Sequence, residues 1–128
     1  MSSPIAYKFG ISEFTTHPWT FEQDVETYAR LGVDTIEVCE FKIDDARAAE
    51  QLARVGRHGL EISSVQPAVR TLFPSLSQPE PKDVPARMAR FRHTIERFAS
   101  HCANVPFVTN TGNPHKGNIE QVLDTAAK

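Results

Sequence analysis

A chain of 128 residues, 40% hydrophobic and 23% charged, has the composition of one small globular domain. Its 14 basic residues against 16 acidic ones give a net charge of −2, which offers no basic excess to a phosphodiester backbone, so nucleic-acid binding is not expected. No window approaches the roughly twenty apolar residues that span a bilayer, and the opening MSSPIAYKFGIS lacks the basic-then-apolar plan of a leader, so a cytoplasmic protein without membrane contact is expected. Cys39 and Cys102 are too few and too far apart for a disulfide scaffold or a zinc knuckle, and they read as reduced, buried thiols.

Residues 6–14 (AYKFGISEF) alternate, with Tyr7, Phe9 and Ile11 on one side and Lys8, Gly10 and Ser12 on the other, as a strand requires. Thr20 and Gln23 have capping-box spacing, which predicts a helix with Phe21, Val25, Tyr28 and Ala29 as its buried stripe and Gly32 as its stop. A second strand follows at 35–39 (TIEVC), then a helix from Asp44 or Asp45 to His58-Gly59 bearing Ala48, Leu52 and Val55, then a third strand at 60–65 (LEISSV). Pro67, Pro74, Pro79 and Pro81 exclude a helix from 66–83, and so long a connection suits a flap over the ends of the strands. Asp83 caps the third helix, whose apolar period is Val84, Met88, Phe91, Ile95, Phe98 and Cys102. A fourth strand is expected at 105–110 (VPFVTN), and a final helix from Asn118 bearing Ile119, Val122, Leu123 and Ala126.

Four strand-helix pairs in succession require parallel strands with right-handed crossovers. A small doubly wound sheet and a wall of a (βα) barrel both satisfy that order. A doubly wound central strand is apolar on both faces, whereas one parity here collects Gly10 and Ser12, Glu37 and Cys39, Glu61 and Ser63. The expected fold is therefore α/β, a single domain of four βα units forming a (βα)4 half of a TIM-barrel-like fold. A complete barrel needs about 250 residues.

The segments GVDTIEV at 32–38 and HGLEISSVQP at 58–67, with KFGIS near the start and FVTNTG near the end, resemble the sugar phosphate isomerase/epimerase family of xylose-isomerase-like barrels. That resemblance implies a complete enzyme that interconverts ketose and aldose, or epimeric sugars, on a small polyhydroxy substrate or sugar phosphate. It also implies a divalent metal (Mn, Mg or Zn) held by strands five to eight, so no ligand set is expected in this segment and the isolated chain is expected to be inactive. By the same resemblance Glu37 on strand two and the first-loop residues His17 and Trp19 match positions that shape the substrate, and a strand carboxylate facing a low-dielectric lumen makes Glu37 the expected catalytic residue.

Independently of family, Trp19 offers a stacking face and His17 a donor for a sugar hydroxyl, while Gln66 and Arg70 follow strand three and Asn110 ends strand four, where each can meet a polyol. Glu40 also lies at the active end but on the opposite parity from Glu37, which argues against a paired-acid glycosidase. His58 suits a helix C-terminus. GNPHKGN at 112–118 does not fit the Walker A pattern, because Lys116 precedes its second glycine. The competing reading is non-catalytic: a small α/β domain, or a half-barrel that self-associates or pairs with a missing C-terminal half, since unpaired strand edges demand partners.

Overall fold

The computed structural model describes residues 6–112 together with 120, 123, 124 and 127. Among the described residues three strands, β1 (Gly10–Ser12), β2 (Thr35–Cys39) and β3 (Glu61–Gln66), form one parallel sheet in the order β1-β2-β3. Between and after them run α1 (Phe21–Leu31), α2 (Ala48–Arg57) and α3 (Val84–Ala99), with a short 3-10 turn at Glu40–Lys42. Sequential parallel strands joined by crossovers of one hand place their helices on one face. Accordingly Phe21, Val25 and Tyr28 of α1, Leu52 and Val55 of α2 and Phe98 of α3 share one core with Ile36, Val38 and Val65 of the sheet. The opposite face, which carries Glu37 and Gln66, has no helix over it among the described residues, and the sheet is open rather than closed.

The punctuation of α1 follows directly from its residues. Thr20 accepts from the Gln23 amide while the Gln23 side chain accepts from the Thr20 amide, and Gly32 ends the helix at φ 77°. Gly10 is fixed by close approach, because a Cβ there would overlap Thr35 Oγ1. The first strand is shorter than the alternation of 6–14 implies: Tyr7 and Phe9 are exposed, and pairing with β2 covers only 10–12 and its flanks.

The expected fourth strand is a bridge rather than a strand. Val65 donates to the Pro106 carbonyl at 2.9 Å and accepts from the Val108 amide at 2.9 Å, which seats this segment parallel to β3. The next steps of that ladder would need amide hydrogens from Pro106 and Pro67, and proline has none. The expected final helix lies, apart from residues 120, 123, 124 and 127, outside the described residues.

α3 is capped by Asp83, whose side chain accepts from the Ala86 amide at 2.9 Å. Its buried face differs from the apolar period: Arg87, Thr94 and Phe98 are buried and Ile95 is exposed. The polar pair can take core positions because Arg87 meets acceptors from the connection before α3 and Thr94 meets the Glu40 carboxylate. Residues 66–83 form an ordered strap. Arg87 donates to the carbonyls of Thr71 and Pro81 at 2.8 and 2.9 Å and to Thr71 Oγ1 at 2.6 Å, while Gln78 Nε2 donates to the Ala68 carbonyl at 2.6 Å. Leu72 and Phe73 are buried against Val84 and Met88, and their amides donate to Asn110 and Thr111, beyond the C-terminal ends of the strands.

Candidate functional site

The register of β3 decides which polar side chains meet on the open face. Thr35 and Ile36 pair with Glu61 and Ile62, but Glu37 pairs with Ser64, so Ser63 is the extra residue of a bulge. One row of the sheet therefore reads Ser12, Glu37, Ser64, and the next reads Cys39, Gln66. Ser12 Oγ donates to Glu37 Oε1 at 2.6 Å and Ser64 Oγ donates to Glu37 Oε2 at 2.7 Å. Those two bonds fix the carboxylate and leave its remaining lone pairs facing outward, half-buried. Cys39 Sγ donates to Gln66 Oε1 at 3.2 Å, and burial pushes that thiol up to about 12, so it stays neutral.

Above this floor, where the strands end, three rings cluster. His17 stacks on Phe41 with centroids 4.8 Å apart, and Phe14 meets both edge-on at 5.8 and 6.4 Å. The Arg70 guanidinium lies 5.1 Å from the Phe14 ring centroid. The Arg70 carbonyl accepts from the Asn110 amide at 2.9 Å, which brings Asn110 to the same edge. Of the expected site residues, His17 and Arg70 thus join one wall, Glu37 and Gln66 share the floor, and Asn110 borders Arg70. Trp19 stands apart from the ring cluster, 41% exposed, with its amide donating to Thr16.

Glu61, considered beside Glu37 for the lumen, pairs instead with Lys8 in the open at 2.5 Å. Glu40 is also committed to structure. Its burial favours the neutral acid, but the Ala68 amide, Thr94 Oγ1 and Arg90 together outweigh it and hold the carboxyl below its usual range. With Arg97 at 3.3 Å as a further partner, Glu40 ties the strap to α3. His58 behaves as expected at a helix end, with Nδ1 2.9 Å from the Arg54 carbonyl.

The expectation of a divalent metal is corrected. Among the described residues no three His, Cys, Asp or Glu come together in a group able to hold a metal ion. The bulge that moves Ser63 off the row and the Lys8 pairing of Glu61 leave Glu37 flanked by hydroxyls, which are poor ligands for such a site. No described helix is long and apolar enough to cross a membrane.

Sequence reasoning missed a buried charge cluster just behind the wall. Glu13, directly after β1, is fully buried, and its Oε2 accepts from the Cys39 amide at 2.8 Å. Asp24 of α1, also fully buried, accepts from Lys42 Nζ at 2.5 Å and from Thr16 Oγ1 at 2.6 Å. Burial, with Asp24 adding its like charge, pushes Glu13 up to about 9, so it holds a proton at neutral pH. The signal for the cluster was present: Glu13 shares the parity of Ile11, and Asp24 falls among Phe21, Val25 and Tyr28 on the buried stripe. No protein-family model and no curated protein matches the sequence.

Proposed function

We propose that the chain forms the substrate-binding wall of a sugar isomerase/epimerase-like barrel, in which the open face of the sheet receives a small polyhydroxy substrate or sugar phosphate. The observation that carries this reading is Glu37, held on an uncovered sheet face by one hydroxyl from each neighbouring strand. A carboxylate so oriented accepts a sugar hydroxyl, or takes a proton from the carbon beside a carbonyl and returns it to the next carbon. Gln66 supplies amide donors on the next row, Asn110 a carboxamide at the rim, and the ring wall an apolar surface for the sugar's C–H face. Arg70 meets a phosphate where the substrate carries one. In this reading four further βα units complete the barrel and supply the partner acid, so the isolated chain binds without turning over.

An amide-resolved NMR titration with ketoses, aldoses and their phosphates tests the reading. Shifts are expected at Glu37, Gln66, Arg70 and His17, and Glu37→Gln is expected to weaken binding about tenfold, the worth of one charge-assisted hydrogen bond of roughly 1.5 kcal/mol. Shifts at the other end of the sheet, around the cleft of about 270 Å³ lined by Leu52, Leu60 and Ile62, would contradict it.

A second reading is favoured by the sheet edges. The outer edge of β1 carries no strand among the described residues, and the segment beyond β3 is joined by isolated bridges. Such edges favour a half-barrel that completes itself by association with a second copy.

A further inference from the structure

The three rings at the strand ends sit on two short segments, 14–17 and 40–42, and neither segment has a hydrophobic anchor of its own. Phe14, His17 and Phe41 are all exposed or half-exposed. Glu40 ties 40–42 to the strap and α3, and the contacts that join the two segments to each other come from the polar cluster behind them. Lys42, next to Phe41, reaches across to donate to the Thr16 carbonyl at 2.8 Å, and Thr16 is next to His17. The same ammonium pairs with Asp24, to which Thr16 Oγ1 also donates, and Thr16 Oγ1 lies 2.6 Å from the Tyr28 hydroxyl. Glu13, next to Phe14, closes the arrangement by accepting from the Cys39 amide at the end of β2. Each ring residue is thus adjacent in sequence to a member of one buried network.

The charges of that network balance in one protonation state. The groups facing Glu13 are Asp24 and Tyr28 from α1, Cys39 from β2 and Lys42 from the 3-10 turn, with Glu37 on the far face of β2. Burial keeps the Tyr28 hydroxyl and the Cys39 thiol neutral, each pushed up to about 12. Among the described residues Lys42 is the one cation facing the pair, and its charge is taken by Asp24, the two side chains being 4% and 0% exposed. Glu13 Oε1 is buried and has no hydrogen-bond partner among the described residues. With a proton on Oε1, Glu13 donates to the Asp24 carboxylate and the cluster is neutral; without it, two carboxylates share one ammonium out of reach of water.

We propose that Glu13, Asp24 and Lys42 form a proton-dependent latch: while Glu13 is protonated the latch holds the Phe14, His17 and Phe41 wall in place, and loss of that proton in alkaline solution releases the wall and opens the strand-end site. The regulatory meaning rests on the reading of these strand ends as a ligand site, but the latch is tested on the wall itself, so failure of the sugar titration does not count against it. The step is a single proton transfer from Glu13 Oε1 to solvent, with no covalent change.

The test follows the ring contacts by NMR in protein carrying labelled phenylalanine and histidine, from pH 7 to pH 10. In the wild type the through-space contacts of His17 with Phe14 and Phe41 are expected at pH 7 and to fall below one-tenth across about two pH units, the width of a one-proton titration. The Glu13 carboxyl carbon is expected to titrate with the same midpoint, while far-ultraviolet circular dichroism stays constant. Glu13→Gln, whose amide can donate to Asp24 and accept from Cys39, is expected to keep the contacts throughout. Because the carbon titration is read in the wild type, the proposal remains falsifiable if that variant does not fold. A Glu13 carboxyl already ionised at pH 7, ring contacts that persist after it ionises, or the same alkaline loss in Glu13→Gln would each overturn it.

Discussion

Replacing Arg87 by methionine is expected to destabilise the protein by about 3 kcal/mol or more and to loosen the strap over 66–83 before the rest of the fold. The methionine matches the aliphatic part of the arginine side chain, so packing alone predicts a small cost. The larger cost is polar. Fully buried Arg87 serves the carbonyls of Thr71 and Pro81 and the Thr71 hydroxyl, and it lies 3.2 Å from Gln78 Oε1, the atom that also accepts from the Arg70 amide. Each acceptor stranded in a buried place costs roughly 1–3 kcal/mol. Amide exchange at Arg70, Leu72 and Gln78 is expected to accelerate about a hundredfold, which corresponds to roughly 3 kcal/mol of local opening. Arg87→Lys, with a charge but no fork, is expected to recover only part of this. Unchanged exchange at those amides would contradict the role given to Arg87.

Lys42→Met is the second large effect. It leaves Asp24 without its cation in a site closed to water and beside Glu13, and breaking a buried pair in this way costs about 3–5 kcal/mol. Asp24→Asn combined with Lys42→Met is expected to return more than half of the loss, as measured by urea unfolding. The same cluster gives stability a definite pH dependence. The folded carboxyl of Glu13 lies above its ordinary value of 4.5, at about 9, so the folded state keeps a proton that the unfolded chain releases. Its contribution is complete below 4.5 and declines as pH rises toward 9, with a slope approaching about 1.4 kcal/mol per pH unit. Glu40 acts in the opposite sense: its carboxyl is held low, so its contribution is present above the ordinary value and lost as pH falls through the folded one. Glu13→Gln is expected to flatten the alkaline decline and leave the acid limb intact.

Local chemistry made much of the fold legible before any coordinates. Thr20 with Gln23, Gly32 and Asp83 mark helix ends by hydrogen bonds that short sequence windows contain, and all are used as the residues imply. Tertiary terms account for the departures. Alternation alone places Ser63 beside Glu37, but the bulge substitutes Ser64, and an extra residue in a ladder leaves no mark on the pattern of either strand. The fourth segment has a strand's sequence, yet Pro67 on its neighbour truncates the ladder, a constraint visible only once the register is known. In α3 an apolar period of four and three predicts Ile95 inside; Arg87 and Thr94 displace it because acceptors from the strap and from Glu40 meet them there. At the site, Glu37 within β2, Gln66 at the end of β3, and Arg70 and His17 in the segments beyond the strands could be singled out as polar residues on or near the uncovered face. The partnership of Phe14 and Phe41 has no mark in the sequence, because it depends on two turns folding toward each other.

The claim that this parallel sheet is an unfinished wall, with its polar face and β1 edge awaiting a partner, is tested most directly by sedimentation equilibrium at several tens of micromolar. Association to a closed dimer of twice the 14.3 kDa chain mass is predicted, with the amides of β1 and of residues 106–110 protected on dimerisation. A monomer of 14.3 kDa that unfolds cooperatively and resists protease at that concentration would contradict it.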